Sequence, residues 1–505
     1  MSFFVELPNA SALPLAELAP IAFPKLRQGV LDSVVRGDRL VALFGIPQAS
    51  GRLRLVVILG VDATSTLRLA TADVEASYEA FTPECPPAHW FERELAEQWG
   101  VVPRGHPWLK PIRFHRSMRP GTDAWLRPSA DPIVPGVTDF FAIQGDEPHE
   151  VAVGPVHAGV IEPGHFRFQC HGEKVLHLEI SLGYQHRGVE RALVGGPHPR
   201  SLSHAETLAG DTSIGHATAY CQVLEALAGV AAPPRADALR AVMLELERLA
   251  NHTGDLGALA GDVGYLPTAS FCGRLRGDYL NVSALVCGSR FGRGMLKPGG
   301  VRFDLGSAEV DELGRRLEQA TRDLTNATTL LWETPTVLAR FEETGVLTPA
   351  IVDRLGLVGP PARACGLERD VRFQYPTGMY RFAQVPVSTW HSGDVFARAY
   401  VRWLECRRAA TFVGEVAAGL PSGPCATPMK RLAPEKLAVA LVETWRGEAV
   451  HVAVTDSEGR FAAHKVVDPS FHNWMGLAMA LRGQEISDFP LCNKSFNLSY
   501  CGHDL

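Results

Sequence analysis

The chain has 505 residues, 46% of them hydrophobic and 21% charged, the mixture of an ordinary globular protein. A net charge of −6 argues against a nucleic-acid partner, which normally meets a basic stripe. No apolar run reaches the ~20 residues that span a bilayer, and MSFFVELPNASALP lacks the basic start and apolar core of a secretion signal; the expectation is a cytoplasmic chain.

Residues 1–120 are expected to form a small α/β module. Leu40–Ile46, Leu53–Val61 and Leu67–Ala70 read as strands separated by turn residues. His89–Trp99 has helical spacing and stops at Gly100. Residues 121–150, with Pro128, Pro132, Pro135 and Pro148, read as a linker. A larger, mainly helical region with peripheral strands fills 151–505, so the fold class is α+β. It opens on strands Phe166–Cys170 and Val175–Ile180. The spacing then predicts helices over Ala205–Ala228, Ala236–Asp255, Ser307–Thr329, Val395–Gly419 and Pro434–Trp445. Strands Val450–Thr455 and His464–Val467, a short helix Asn473–Leu481 and a final loop Asp488–Leu505 complete the chain.

In the helix from Ala236, Arg248, His252, Asp255 and Asp262 fall on one face. The surrounding Ala, Gly and Leu imply packing on most sides, where such groups must be paired or hydrated. They read as a structural ion-pair ladder or as a proton or charge relay. Ten cysteines are scattered without a C-x-x-C. They are expected to be reduced and buried, with no iron–sulfur cluster held by this chain. Cys501, His503 and Asp504 are spaced too tightly to chelate one tetrahedral ion comfortably, so no metal site is assigned. LFGIPQASG and GVRFDLGSAE do not fit G-x-G-x-x-G, which argues against direct NADH binding.

Several segments together carry a resemblance. They are GPVHAGVIEPGHFRF (Gly154–Phe168), LGYQHRGVERAL (Leu182–Leu193), GDTSIGHATAY (Gly210–Tyr220) and ELERLANH (Glu245–His252). KPGGVRFDL (Lys297–Leu305), DPSFHNW (Asp468–Trp474) and the tail DFPLCNKSFNLSYCGHDL (Asp488–Leu505) complete the set. In this order they resemble the large subunit of group 4 nickel–iron hydrogenases and its relative, the 49-kDa-type subunit of complex I. HWFERELAEQWGVVPRGHP (His89–Pro107) resembles the 30-kDa-type subunit, a module fused ahead of the large subunit in formate hydrogenlyase and hydrogenase-4.

The resemblance implies two loops, C-G-x-C-x-x-x-H and D-P-C-x-x-C, that hold nickel and iron. Anchored on His216, the first pair of cysteines falls on Ala209 and Thr212; anchored on Ser495 and Asp504, the second falls on Ser499 and Gly502. Four soft thiolates are therefore missing, and the nickel–iron centre is expected to be absent. The tyrosine that serves quinone in complex I falls on Gly210. The resemblance further implies an iron–sulfur small subunit bearing a four-iron cluster, membrane antiporter-like and anchor subunits, and a place on the inner face of the cell membrane. A quinone is the possible acceptor.

Glu162 matches the proton-carrying glutamate of the hydrogenase branch. It is a catalytic candidate with His165, Asp211 and Thr212. His157, His216, Ser499 and Asp504 are candidates for contact with the bound molecule. Asp211 or Thr212 would also suit the N-cap of the helix that follows. The contact with the small subunit is expected on apolar surface of Ala205–Asp262. A scaffold that kept the fold and shed the chemistry, or an active hydrogenase, are the competing readings.

Overall fold

The computed structural model describes residues 3–128, 130–136, 138–157 and 162–505. Strands β1 (Val5–Leu7) and β2 (Ser11–Pro14) precede helix α1 (Phe23–Val35). Three long strands follow: β3 (Arg39–Pro47), β4 (Leu53–Val61) and β5 (Thr66–Val74). They form an antiparallel sheet in the order β1-β5-β4-β3. Helix α2 (His89–Trp99) ends at Gly100, whose φ of 64° supplies the left-handed stop that glycine tolerates best. Strands β6 (His149–Val153), β7 (His165–His171) and β8 (Lys174–Ser181) form a second antiparallel sheet.

The helical body consists of α3 (Ser213–Ala228), α4 (Pro234–Asp262), α5 (Leu266–Cys287), α6 (Ser307–Trp332) and α7 (Val395–Ala418). Strands β9 (Lys436–Thr444), β10 (Gly447–Thr455) and β11 (Phe461–Val467) precede α8 (Pro469–Ala480), α9 (Phe489–Phe496) and α10 (Tyr500–Asp504). The last large sheet runs β11-β10-β9-β2, so a strand from the amino end completes a sheet made at the carboxyl end. Asn9 secures that crossing: its side chain accepts from the Leu441 amide and donates to the Leu441 carbonyl. Among the described residues no helix is long and apolar enough to cross a membrane.

The structure corrects four expectations. Pro434–Trp445 is not a helix but contains β9. Every residue from Leu437 to Thr444 is buried, and a sheet covered on both faces loses the alternation that marks a strand. The helix expected over Ala205–Ala228 breaks across 206–212, leaving Ser201–Ala205 and α3. The tail is not a loop: it folds into α9 and α10, separated by Asn497 with φ 46°. The Ala205–Asp262 stretch is not an apolar docking surface. Helix α4 is buried along most of its length between α5 and α7, as a helix apolar nearly all round should be.

Candidate functional site

The site grows from two turns that the fold brings side by side. The first, Ala209–Thr212, enters α3. Asp211 sits there at φ 51° and pairs with Arg276. Thr212 occupies the N-cap position, but its hydroxyl does not cap. It donates to the Gly210 carbonyl (3.2 Å) and accepts from Trp445 Nε1 and Arg446 Nη1, each at 3.1 Å. The exposed amides of α3 are met instead by Glu247 of α4, which accepts from Ile214 N (2.7 Å) and Gly215 N (3.2 Å). Burial pushes the Glu247 carboxyl up to about 8, against the pull of those two amides.

The second turn, Asn497–Gly502, opens α10. Ser499 Oγ accepts from Gly502 N at 2.9 Å and so caps this short helix. Cys501 N donates to Glu162 Oε2 at 2.8 Å, and the Cys501 thiol lies 3.6 Å from Glu162 Oε1. Burial, and then the Glu162 charge, holds this thiol above its ordinary range. Glu162 also faces the first turn: a Cβ placed on Gly210 would lie 3.4 Å from its Oε1. Gly164 is required here because a Cβ would come within 2.6 Å of the Tyr500 ring.

Arg446 ties the turns to each other. It donates to the Gly210 carbonyl at 2.9 Å and to the Asn497 carbonyl at 2.7 Å, with its guanidinium over the Trp445 ring. Sequence reasoning missed it. The signal was the Trp445-Arg446-Gly447 turn between two strands, hidden by reading that segment as a helix.

The structure therefore brings Glu162, Thr212 and Ser499, with Asp211 beside them, to the junction of the two turns, the region taken below as the hollow. The other candidates lie further out. Asp504 is fully buried and holds the Gly183 and Gln185 amides at 2.8 and 2.9 Å. His165 lies on β7, bonded through Nδ1 to the Gly154 carbonyl. His157 sits nearby, 6.0 Å from the Phe166 ring. Burial lowers the pKa of both histidines. His216 lies beneath the hollow, with Nε2 3.0 Å from Asp468 Oδ2.

A nickel–iron centre does not fit this donor set. Ala209 and Gly502 offer no ligand atom, and Thr212 and Ser499 offer hydroxyls already committed to neighbours. The Asp468 carboxylate also fills the space in front of Gly502. Of the two nearby thiols, Cys492 is buried against Gly345 and Arg398, away from the hollow.

Beneath α4 lies a buried charge cluster. Arg248 binds Glu245 at 3.0 Å, Arg363 binds Glu405 and Glu443 at 2.7 Å each, and Arg372 binds Glu245 and Asp370. His252 reaches Glu405 at 2.8 Å, and Asp255 takes Arg402 at the same distance. Three of the four ionisable residues of the α4 face are thus paired within the chain.

Residues 262–438 match the family described as the 49 Kd subunit of respiratory-chain NADH dehydrogenase, and residues 24–124 match its 30 Kd subunit. Carbon monoxide-induced hydrogenase of Rhodospirillum rubrum is 31% identical over 350 residues, covering 69% of this chain and 97% of its own length. Formate hydrogenlyase subunit 5 of Escherichia coli is 28% identical over 486 residues, 92% of this chain and 84% of its own. A chain of the membrane-bound sulfane sulfur reductase, an archaeal respiratory membrane complex, matches with a TM-score of 0.67 at 22% identity. It covers 71% of this chain and 99% of its own, a likeness of fold.

Proposed function

This chain belongs to the family of large subunits of group 4 hydrogenase-like and NADH dehydrogenase-type oxidoreductase complexes, with a 30-kDa-type segment fused at its amino end. From that membership we propose that it works in the soluble arm of an ion-translocating, membrane-bound oxidoreductase, on the inner face of the membrane. Residues 1–120 form the docking module, 121–150 the linker, and 151–505 the domain that carries the hollow. Its partners are an iron–sulfur small subunit, whose four-iron cluster supplies electrons, and antiporter-like and anchor subunits in the membrane.

The acceptor, a quinone or similar molecule, meets those electrons at the hollow between the two turns. Reducing a quinone to a quinol takes two electrons and two protons, so this chain must deliver protons. Glu162 is the group for that task. Its carboxylate lies between the Gly210 turn and Cys501, and the missing side chain at Gly210 leaves room beside it. That placement is the observation that carries the reading. Asp211 and Thr212 border the same space, and Ser499 fixes the opposite turn. His157 and His165 stand on the strand side of Glu162. His216 and Asp504 support the floor and the back of the hollow.

The test uses the purified complex with its iron–sulfur partner, electrons from dithionite, and decyl-benzoquinone as acceptor. Glu162→Gln is expected to slow reduction at least tenfold with KM little changed. A complex that reduces neither quinone nor any other acceptor overturns the reading. A scaffold role is favoured by one observation: the polar atoms of Thr212, Ser499 and Asp504 are all engaged by the chain itself. Wild-type transport in both Glu162→Gln and Asp211→Asn would establish that alternative.

A further inference from the structure

Three histidines from three different elements form a continuous hydrogen-bonded row under the hollow. His216 of α3 places Nε2 3.0 Å from Asp468 Oδ2 and Nδ1 3.1 Å from His451 Nε2. His451 of β10 places Nδ1 3.2 Å from His464 Nε2 on β11. His216 and His451 are completely buried, and His464 is 5% exposed. The order fixes the tautomers. The Asp468 carboxylate can only accept, so a neutral His216 carries its proton on Nε2 and its Nδ1 is a bare acceptor. His451 must then donate from Nε2, and His464 likewise. All three donors point toward Asp468. At the far end His464 Nδ1 is a buried acceptor with no partner among the described residues.

The two ends lie in different places. The Asp468 end lies against the second turn: a Cβ on Gly502 would sit 2.7 Å from Asp468 Cγ. The His464 end lies against the Tyr220 ring, 5.7 Å between centroids. Tyr220 in turn lines a cleft of about 480 Å³ with His198, Arg302 and Lys430. Burial pushes the His464 imidazole down to about 4, against the Glu190 carboxylate that favours a proton there, so this ring rests neutral; at the other end the His216 hydrogen bond and Arg446 outweigh burial and hold the Asp468 carboxyl below its usual range.

We infer that His464, His451 and His216 are a proton wire leading from the cleft beside Tyr220 to Asp468 under the hollow. A proton taken at His464 Nδ1 releases the Nε2 proton to His451 Nδ1. His451 passes its Nε2 proton to His216 Nδ1, and His216 passes its own to Asp468. One proton advances, and each ring is left as the opposite tautomer. The rings must reset before the next proton, which caps the throughput. Packing alone does not call for an unpartnered acceptor at the end of the row. The wire rests on the proposed proton demand of the hollow for its purpose, but its existence is tested without turnover.

The test is nuclear magnetic resonance of the full chain with ¹⁵N-labelled histidine. At pH 7 all three rings are expected as neutral Nε2–H tautomers, with coupling across the His216–His451 and His451–His464 bonds. Solvent deuterium should reach His216 Nε2 through the row. His464→Gln, which keeps a donor to His451 but cannot relay, should slow that exchange at least tenfold; His464→Phe serves as a second variant. An Nδ1–H tautomer at any of the three positions, or unchanged or faster exchange in the two variants, overturns the wire. In the assembled complex, His464→Gln should lower quinone reduction and raise its solvent isotope effect. If the wild-type complex turns over no acceptor while the exchange result holds, the wire stands and the proposed function fails.

Discussion

Asp468 stands where a side chain at position 502 would have to go. A Cβ on Gly502 would meet the Asp468 carboxyl carbon at 2.7 Å and its oxygens at 2.8 and 3.0 Å. Burial raises the pKa of this carboxyl, but the His216 hydrogen bond, with Arg446, holds it below the usual range. The charge therefore stays, and glycine is the residue that makes room for it.

Gly502→Ala should consequently destabilise the chain by about 1–3 kcal/mol, the usual penalty for forcing atoms into packed space. Gly502→Cys should do the same and bind no nickel. Urea unfolding of the two variants, with metal analysis of the second, checks both statements. Wild-type stability in Gly502→Ala would show that Asp468 moves aside freely.

Glu247 makes a pH-dependent contribution. The folded chain keeps its proton up to about pH 8, while an unperturbed glutamic acid releases it near 4.5. Native stability therefore falls as pH rises through that window, by about 1.4 kcal/mol per unit for one proton. Glu247→Gln should remove this slope while costing about 1–2 kcal/mol at low pH, because an amide oxygen replaces two acceptors. Unfolding curves for both proteins between pH 5 and 8, compared pairwise, isolate the difference.

Cys501 reports on Glu162. The carboxylate adds to the burial that holds the thiol above its ordinary range. Glu162→Gln should leave the thiol easier to ionise and speed its alkylation by iodoacetamide at pH 8 several-fold. Mass spectrometry of the Cys501 peptide gives the rate. An unchanged rate would mean that the two side chains do not interact in solution.

Arg363 holds the charge cluster together through Glu405, Glu443 and the Arg369 carbonyl. Arg363→Met removes the ion-pair partner of Glu443 and one of the three partners of Glu405, all buried, and should cost about 3–5 kcal/mol. Arg363→Lys should recover little, because one ammonium cannot reach all three partners. Shifts of the urea midpoint decide both.

The sequence alone determined the class of protein and the absence of cysteine at the four positions that the resemblance implies for metal ligands. The anchors His216, Ser495 and Asp504 are local, and the residue types at Ala209, Thr212, Ser499 and Gly502 settle which atoms could bind a metal. Helix α2 and strand β4 were also legible, since their patterns and stops are contained in short windows. Strand β9 was not. Its near-unbroken burial depends on β2, more than 400 residues away in the chain, and on α3 packed over it. The role of Glu247 as a cap, the span of Arg446 between two turns, and the row of His216, His451 and His464 were equally hidden. Each joins residues from separate elements, and spacing along the chain carries no record of who faces whom across a packed interior. Only the folded core fixes the distances at which those groups share a proton or a charge.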